Sequence, residues 1–292
     1  MERAEPMERA ARSPAWALFV GPYGIYLLVF LVLPFANVAL LSVYLHSPTK
    51  IAVAEFTGAN YAKLWEAYYF TLFLRTLRLS LIVTVLCAVL GLPLAYLLAR
   101  STSGIKTLGL FLLIMPLMVS TVIRVFGWVV ILGNEGLVNQ ALRLLGAEEG
   151  LRLLYTEGAV VLGLSQQSLP FMVLPIMAAI ERISPSLEEA AQNLGASWGQ
   201  MFARVILPLS MPGLVSGALL VFSVSMSAFI TPALMGGRKG RMVGQQIYEE
   251  VLTAYNWPGA ASLTIILSAL MLTLVGLALW TTRRRARLEM AR

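Results

Sequence analysis

Charged residues divide this chain into long apolar runs. Stretches without Lys, Arg, Asp or Glu cover 16–45, 79–99, 107–123, 158–180, 205–237 and 251–282. A helix rises about 1.5 Å per residue and the hydrocarbon core of a bilayer is about 30 Å thick, so a spanning helix needs about 20 apolar residues. Five runs meet this length, and the third does so if Arg124 is tolerated near its end. The pattern predicts an all-α membrane protein with six transmembrane helices, called spans 1 to 6 below.

The same pattern divides the chain into three regions. We expect a cytoplasmic N-terminal segment over 1–15, a single transmembrane domain over 16–282 and a basic cytoplasmic tail over 283–292. Span 1 is longer than the apolar part of a signal peptide, which has about 7–15 residues, and no A-x-A cleavage site follows it. We therefore expect span 1 to remain in the mature protein. The repeated tetrapeptide MERA leaves Met1 and Met7 as alternative starts.

The composition supports a membrane protein and indicates its orientation. Hydrophobic residues make up 58% of the chain and charged residues 13%, whereas soluble domains have about 25% charged residues. With six spans both termini lie on one side, which holds twelve Lys and Arg residues against nine on the other; Arg124, in span 3, completes the 22. The positive-inside rule favours cytoplasmic termini, and the arginines of the tail also suit binding to acidic lipid. We expect contacts with membrane lipid and none with nucleic acid.

Few residues suit catalysis or metal binding. With one cysteine, Cys87, and one histidine, His46, the chain has no His/Cys metal cluster, and Cys87 is expected as a small buried residue of span 2. The sequence contains no G-x-x-x-x-G-K-[ST] phosphate loop, and no span carries the paired carboxylates of a proton relay. We therefore expect a non-catalytic subunit with no catalytic residue, metal or cofactor, whose energy comes from another subunit.

One polar stretch rich in Ala and Gly interrupts the apolar pattern between spans 4 and 5. Its sequence, EEAAQNLGASWGQMFARVILPL, covers 188–209. Pro185 favours a helix start, Ser186 with Glu189 three residues on fits a capping box, and Gly195 is a natural terminator. We expect a short cytoplasmic helix whose small residues let another protein approach closely. An ordinary helical loop between two spans is the alternative.

The rest of this stretch leads into span 5. Ser197 or Trp198 is expected to start a second helical turn, and Pro208 to open span 5. Within span 5, the pattern Gly213-x-x-x-Gly217 indicates close packing against another helix.

The polar stretch resembles the EAA loop of ABC-importer permeases. The family pattern is E-A-A, three residues, G, nine residues and I-x-L-P. It matches Glu189-Ala190-Ala191, Gly195 and the residues 205–208, with Val205 where Ile is usual. In that family the loop holds the coupling helix, which docks into a groove of the cytoplasmic ATPase. The resemblance implies a type I ABC-importer permease fold with a coupling helix between helices 4 and 5.

The resemblance also implies which residues couple this chain to an ATPase. They lie in the segment 184–208, called the coupling loop below. The expected ATPase-coupling residues are Glu188, Glu189, Ala190, Ala191, Gly195, Leu207 and Pro208.

Further motifs, in the same order, resemble the spermidine/putrescine-type permeases. They include GLPLAYLLAR at 91–100, RVFGWVVILGNEGLVNQ at 124–140 and NWPGAA at 256–261. The region around Arg124 and Trp128 is closer to the "B" permease of that group. The resemblance implies a multi-pass protein of the bacterial inner membrane. It would form half of a translocation pathway, together with a second homologous permease, two ATPase copies holding ATP and Mg, and a periplasmic binding protein.

The cargo implied by this resemblance is a small organic solute, a polyamine or a related amine or amino-acid-like compound. Such permeases often carry Gly and an acid just before F-[VI]-T-P in helix 5, where this chain has Ser227 and Ala228. The missing acid weakens the case for a polyamine and leaves a small cation, an amino-acid-like compound or a phosphonate open. Arg124 could attract an anionic group or reach the interface by snorkelling.

Polar residues of spans 4 and 5 are candidates to line an uncharged route. Hydrogen bonds between helices are the alternative role. The candidates are Ser165, Gln166, Gln167, Ser168, Ser223 and Ser227.

Two other classes of membrane protein fit six spans. A secondary transporter would show internal repeats and an ion site at the midplane, and a structural subunit would need no EAA loop. Co-purification with an ATPase bound through 185–200 would separate these alternatives from an importer.

Overall fold

The computed structural model describes residues 15–47, 51–146 and 150–290, with backbone only for 15–20 and 281–290. Except for Ala15, the expected N-terminal segment lies outside the described residues, as do the last two residues of the tail. Within the described part, six helices are long and apolar enough to cross a membrane. The prediction of six spans is confirmed.

The first third of the structure holds a helix with a π-helical turn, a small hairpin and a helix of 34 residues. The first of these is α1 (Ala15–Leu27), the π-helical turn (Leu28–Val32) and α2 (Leu33–Ser42). An antiparallel hairpin of β1 (Tyr44–Leu45) and β2 (Val53–Phe56) follows, with α3 (Ala59–Lys63) and α4 (Ala67–Arg100).

The remaining described elements alternate long helices with short ones. The middle of the chain forms α5 (Ser103–Met118), α6 (Thr121–Leu132), α7 (Leu137–Leu144) and α8 (Glu157–Glu181). The coupling loop and span 5 form α9 (Pro185–Asn193), α10 (Trp198–Met201), a π-helical turn (Phe202–Ile206) and α11 (Leu207–Met226). A further π-helical turn (Pro232–Gly236), α12 (Val243–Leu252) and α13 (Trp257–Met290) complete the chain.

Span 3 is interrupted, which corrects its predicted extent. The apolar run 107–123 is not one helix, because α5 ends at Met118 and the backbone is extended at Val119 and Ser120 before α6 begins. Pro116, in the last turn of α5, has no N–H to donate to the carbonyl of Leu112 four residues earlier, which weakens the helix just before its end. The segment long enough to span here is Thr121–Leu144, made of α6 and α7.

Span 5 begins earlier than predicted. Pro208 does not open it, because one continuous helical segment runs from Trp198 to Met226. Pro208 cannot donate to the carbonyl of Arg204, four residues earlier, and that residue lies in the π-helical turn Phe202–Ile206. The turn therefore absorbs the proline inside the helix.

Three helices, α4, α8 and α11, form the core of the bundle. Their facing residues include Val83 and Cys87 of α4, Met172 and Ile176 of α8, and Val221 of α11, all fully buried. The expectation for Cys87 is confirmed. Since each of the three helices packs against the other two, they form the rigid centre around which the other helices lie.

The helices α8 and α11 approach closely at two glycines. A Cβ at Gly213 would lie 2.5 Å from the carbonyl oxygen of Pro175, and one at Gly217 would lie 3.0 Å from that of Met172. Real Cβ atoms do not come as close to backbone as at Gly213, and the contact at Gly217 is tighter than most, so a side chain at either position pushes the helices apart. The predicted packing role of Gly213 and Gly217 is confirmed.

The first spanning helix lies at the edge of the bundle. The helix α2 packs along α13, but Tyr23, Phe30 and Leu31 of the first span are each about two-thirds exposed. Apolar side chains that the described part of the chain leaves exposed meet lipid or another membrane subunit in the bilayer.

Candidate coupling site

The helix α9 ends as the sequence predicted and begins differently. Gly195 has a φ of +83°, which favours glycine. The Ala196 N–H donates to the Ala191 carbonyl at 3.0 Å, and the Gly195 N–H to that of Gln192 at 2.9 Å. These two bonds form a Schellman motif, which satisfies carbonyls at the end of the helix.

The capping box lies in the second turn of the coupling loop. Ser184, rather than Ser186, is the N-cap of α9, and its hydroxyl bonds that of Ser186 without capping the helix. The box predicted for Ser186 and Glu189 is therefore wrong. Ser197 and Gln200 form one instead: the Ser197 N–H donates to the Gln200 side chain at 3.0 Å, and the Gln200 N–H to the Ser197 hydroxyl at 3.4 Å. The predicted start of a second turn at Ser197 or Trp198 is confirmed.

The predicted coupling residues divide between two faces of α9. Glu188 is 9% exposed and Ala191 packs against the core, so both face the bundle. Glu189 and Ala190 are exposed, as is Gly195 just beyond the helix. Leu207 and Pro208 lie in the continuous helix of span 5.

Two leucines that the sequence reasoning missed complete the exposed face. Leu187 is 47% exposed and Leu194 is 89% exposed. With Ala190 they follow the spacing i, i+3 and i+7, which places side chains on one side of a helix. We call Leu187, Glu189, Ala190, Leu194 and Gly195 the docking face. The signal that could have revealed both leucines is this helical spacing.

The inner face of α9 is tied to the end of α4 by an ion pair. One oxygen of the Glu188 carboxylate, Oε1, accepts from Arg100 Nε at 2.7 Å and lies 2.6 Å from its Nη2. The other oxygen, Oε2, accepts from the Tyr96 hydroxyl at 2.8 Å. We call Tyr96, Arg100 and Glu188 the clamp. The pair is sheltered from water, because the Arg100 side chain is 21% exposed and that of Glu188 is 11% exposed.

The clamp also holds the linker before α9 and the turn after it. Arg100 Nη2 donates to the carbonyl of Ile183 at 2.9 Å. The ring of Tyr96 meets Trp198 and Phe202 edge-on, at centroid distances of 6.0 and 5.6 Å, and these two rings stack on each other. Such aromatic contacts stabilise by about 0.5–1.5 kcal/mol beyond area burial. Both ends of the coupling loop therefore meet at the end of α4.

The six candidate pathway residues differ in their burial and in their hydrogen bonds. The hydroxyls of Ser165 and Ser168, on α8, are buried with no hydrogen-bond partner among the described residues. Those of Ser223 and Ser227 donate to carbonyls of their own helix, at Leu219 and Ser223. Hydrogen bonds within a helix, rather than between helices, therefore account for Ser223 and Ser227.

Gln166 lines a cavity at the break between α5 and α6. The cavity has a volume of about 340 Å³, and its wall includes Arg124 and Trp128. The side-chain oxygen of Gln166 is buried without a partner in the described part of the chain. Arg124 donates to the carbonyl of Pro116, which also accepts from the Val119 N–H at 3.4 Å where α5 ends. Gln167, the neighbour of Gln166, is half-buried on α8.

The end of the bundle away from the coupling loop carries a basic cavity. It has a volume of about 750 Å³, and its wall includes Arg152, Arg238 and Lys239. Beside it, Arg75 and Arg78 of α4 pair with Glu157 at the start of α8. The two ends of the bundle thus differ, with an apolar docking face at one and a basic cavity at the other.

Comparison with known proteins identifies the family. Residues 88–287 match the family described as binding-protein-dependent transport system inner membrane component. The chain belongs to this family, and it is a permease subunit of an ABC importer in the bacterial inner membrane.

Its relatives include spermidine/putrescine permeases. The chain is 38% identical over 247 residues to the spermidine/putrescine transport system permease protein PotB of Salmonella typhimurium, covering 84% of this chain and 86% of the relative. It is 37% identical to PotB of Escherichia coli over 84% of this chain and 90% of that protein. The resemblance to the "B" permease is confirmed.

A solved structure confirms the fold. A chain of a bacterial alginate ABC transporter, determined in complex with an alginate pentasaccharide-bound periplasmic protein, matches with a TM-score of 0.75. It is 20% identical, and the match covers 96% of this chain and 97% of that one. The type I permease fold extends over almost the whole chain.

Proposed function

We propose that this chain forms half of the translocation pathway and pairs with a second permease, two ATPase copies that hold ATP and Mg, and a periplasmic binding protein. The docking face carries this proposal. Leu194 is 89% exposed on a helix whose other face is held by a sheltered ion pair. An apolar patch presented on a fixed helix suits insertion into a groove of another protein.

The docking face and the larger number of Lys and Arg residues on the same side of the membrane together support one orientation of the chain in the bilayer. Both termini and the coupling loop would lie in the cytoplasm, where the ATPase is, and the basic cavity would open to the periplasm. Closure of the ATPase dimer on ATP would then move α9, and the bundle would change from inward-facing to outward-facing. ATP can drive this population shift only because it binds the two states of the importer with different affinities.

Purification of the tagged chain with its bound partners tests this proposal. The tagged chain, extracted in mild detergent from its own host, should carry an ATPase and a second permease with it. Replacing Ala190 by Trp should remove the ATPase but keep the permease, because the bulky ring sits on the docking face alone. Ala141→Trp, an exposed position in α7 at the other end, is the matched control. Purification without any ATPase would favour a secondary transporter or a structural subunit.

We propose a small organic amine as cargo, either a polyamine or an amino-acid-like compound. The identity with permeases named for spermidine and putrescine supports a polyamine. The cavity beside α8 offers an indole face to a cation, but Arg124 would repel one and attract an anionic group. Ala228 also leaves no acid before Phe229. These residues support an amine that also carries an anionic group.

Gln166 gives a direct test of the cavity as part of the pathway. In reconstituted importer, Gln166→Leu should lower the maximal uptake rate about fivefold, because one hydrogen bond to the solute contributes about 1 kcal/mol. The half-saturating solute concentration should stay unchanged, since the binding protein captures the solute first. Gln140→Leu, in α7 outside the cavity, should leave both parameters unchanged. An unaltered maximal rate in Gln166→Leu would remove Gln166 from the pathway.

A further inference from the structure

The coupling helix α9 is joined to its neighbours along the chain by two turns. Ser184 has an extended backbone on one side, and Gly195 is left-handed on the other. Residues at the ends of elements are where helices hinge. A displacement of α9 therefore reaches the membrane helices through side-chain contacts more directly than through these turns.

The clamp is the polar contact that resists such a displacement. Arg100 and Glu188 are 88 residues apart in sequence, and Arg100 holds both the Glu188 carboxylate and the Ile183 carbonyl. Both contacts of Arg100 with Glu188 go to one carboxylate oxygen, Oε1, and they hold the carboxylate at the end of α4. Tyr96, one turn earlier on α4, occupies the other carboxylate oxygen. The orientation of α9 about its own axis is thereby set by α4.

The helix α4 connects the clamp to the other end of the molecule. It has 34 residues, which corresponds to a length of about 50 Å. At its far end Arg75 lies 3.8 Å from Glu157 and donates to the carbonyl of Arg238 at 3.4 Å. Arg238 lines the basic cavity. A single continuous helix thus touches both the coupling loop and the rim of that cavity.

We propose that Tyr96 and Arg100, acting through Glu188, are positioning residues that make α4 move together with the coupling helix. The proposal rests on docking of α9 to an ATPase. Movement of the docking face is then passed through the clamp to α4, and along α4 from Arg100 to Arg75 at the rim of the basic cavity, about 38 Å away. Without the clamp, α9 would turn about its hinges, and ATP would be hydrolysed without opening the pathway.

The test uses the complete importer with its binding protein in proteoliposomes and measures solute taken up per ATP hydrolysed. Arg100→Gln and Glu188→Gln should each lower this ratio at least about tenfold, because each leaves a sheltered charge unpaired. Tyr96→Phe keeps the ring contacts and should lower it about threefold. The charge exchange, Arg100→Glu with Glu188→Arg, should recover part of the loss. Lys106→Gln, which removes the Lys106–Glu181 pair at the same end of the bundle, should have no effect.

A second measurement separates positioning from folding. In a Cys87→Ser background, the Lys239→Cys variant reports on the basic cavity through its rate of labelling by an external maleimide. That rate should change on addition of ATP with the clamp intact and stay constant in Arg100→Gln.

The outcomes distinguish the clamp from docking itself. A normal uptake-to-ATP ratio in Arg100→Gln and Tyr96→Phe, both in assembled complexes, would overturn the role of the clamp and leave docking standing. If Arg100→Gln fails to assemble, an unchanged ratio in Tyr96→Phe together with no recovery in the charge exchange would overturn it. An unmodified chain that binds no ATPase would overturn docking, and the clamp proposal with it.

Discussion

Replacing Leu194 by Asp is expected to abolish ATP-driven uptake while leaving the chain inserted in the membrane. The Leu194 side chain is 89% exposed, so the substitution leaves the packing of the described residues almost unchanged. In an ATPase groove, however, the new carboxylate would be buried without a partner, which costs several kcal/mol. Truncation of a central interface residue alone costs about 2 kcal/mol or more, a factor of about 30 in affinity.

The same experiment extends to the polar edge of the docking face. Glu189→Lys reverses the charge of an exposed position and should also abolish uptake, as should Gly195→Trp, which adds bulk and strains a backbone with φ of +83°. Uptake into proteoliposomes and co-purification of the ATPase would be measured together.

The matched control is Leu145→Asp. Leu145 is 85% exposed at the opposite end of the bundle, so the same substitution there should leave uptake intact. Normal uptake by Leu194→Asp would show that α9 does not dock through this face.

Gly213→Ala is expected to destabilise the bundle itself. Its new Cβ would lie 2.5 Å from the Pro175 carbonyl oxygen and 2.7 Å from the Ala179 Cβ. Because these atoms belong to the facing helix α8, the two helices must separate to admit one methyl group. Overpacking of this kind costs about 1–3 kcal/mol, and Gly213→Leu should prevent folding.

Thermal unfolding of the purified complex in lipid nanodiscs measures this effect. Gly276→Ala, in α13, is the control, because nothing lies within 4 Å of its added Cβ. Gly213→Ala should lower the midpoint temperature by several degrees, and Gly276→Ala should leave it unchanged. Equal midpoints for both variants would show that α8 and α11 are not in close contact in the assembled importer.

Predictions from local sequence patterns succeeded where the residues of one short segment are enough to determine the local structure. The left-handed end of α9 at Gly195 and the close packing at Gly213 and Gly217 followed from glycine at a particular position. The capping box at Ser186 failed, because Ser184 and Pro185 offer an earlier start for the same helix. The sequence alone cannot show which of two neighbouring residues caps a helix, because the choice depends on the direction from which the preceding chain arrives.

Predictions also failed where a proline could either start a helix or lie inside one. Pro208 marks a helix start in sequence, yet the helix runs through it by means of a π-helical turn. Pro116 precedes a real break, where α5 ends at Met118. The same residue type therefore lies within a continuous helical segment at one position and two residues before a helix end at another.

The residues of the coupling loop show what sequence and tertiary structure each decided. The six apolar spans and the family of the EAA loop could be read from the sequence, because span length follows from bilayer thickness and the EAA pattern is a local motif. That Glu188 faces inward to Arg100 while Glu189 faces outward could be read only from the packed helices. Adjacent residues of a helix point about 100° apart, so their roles depend on how α9 is rotated against α4. That rotation is set by contacts between residues 88 positions apart, which no local pattern contains.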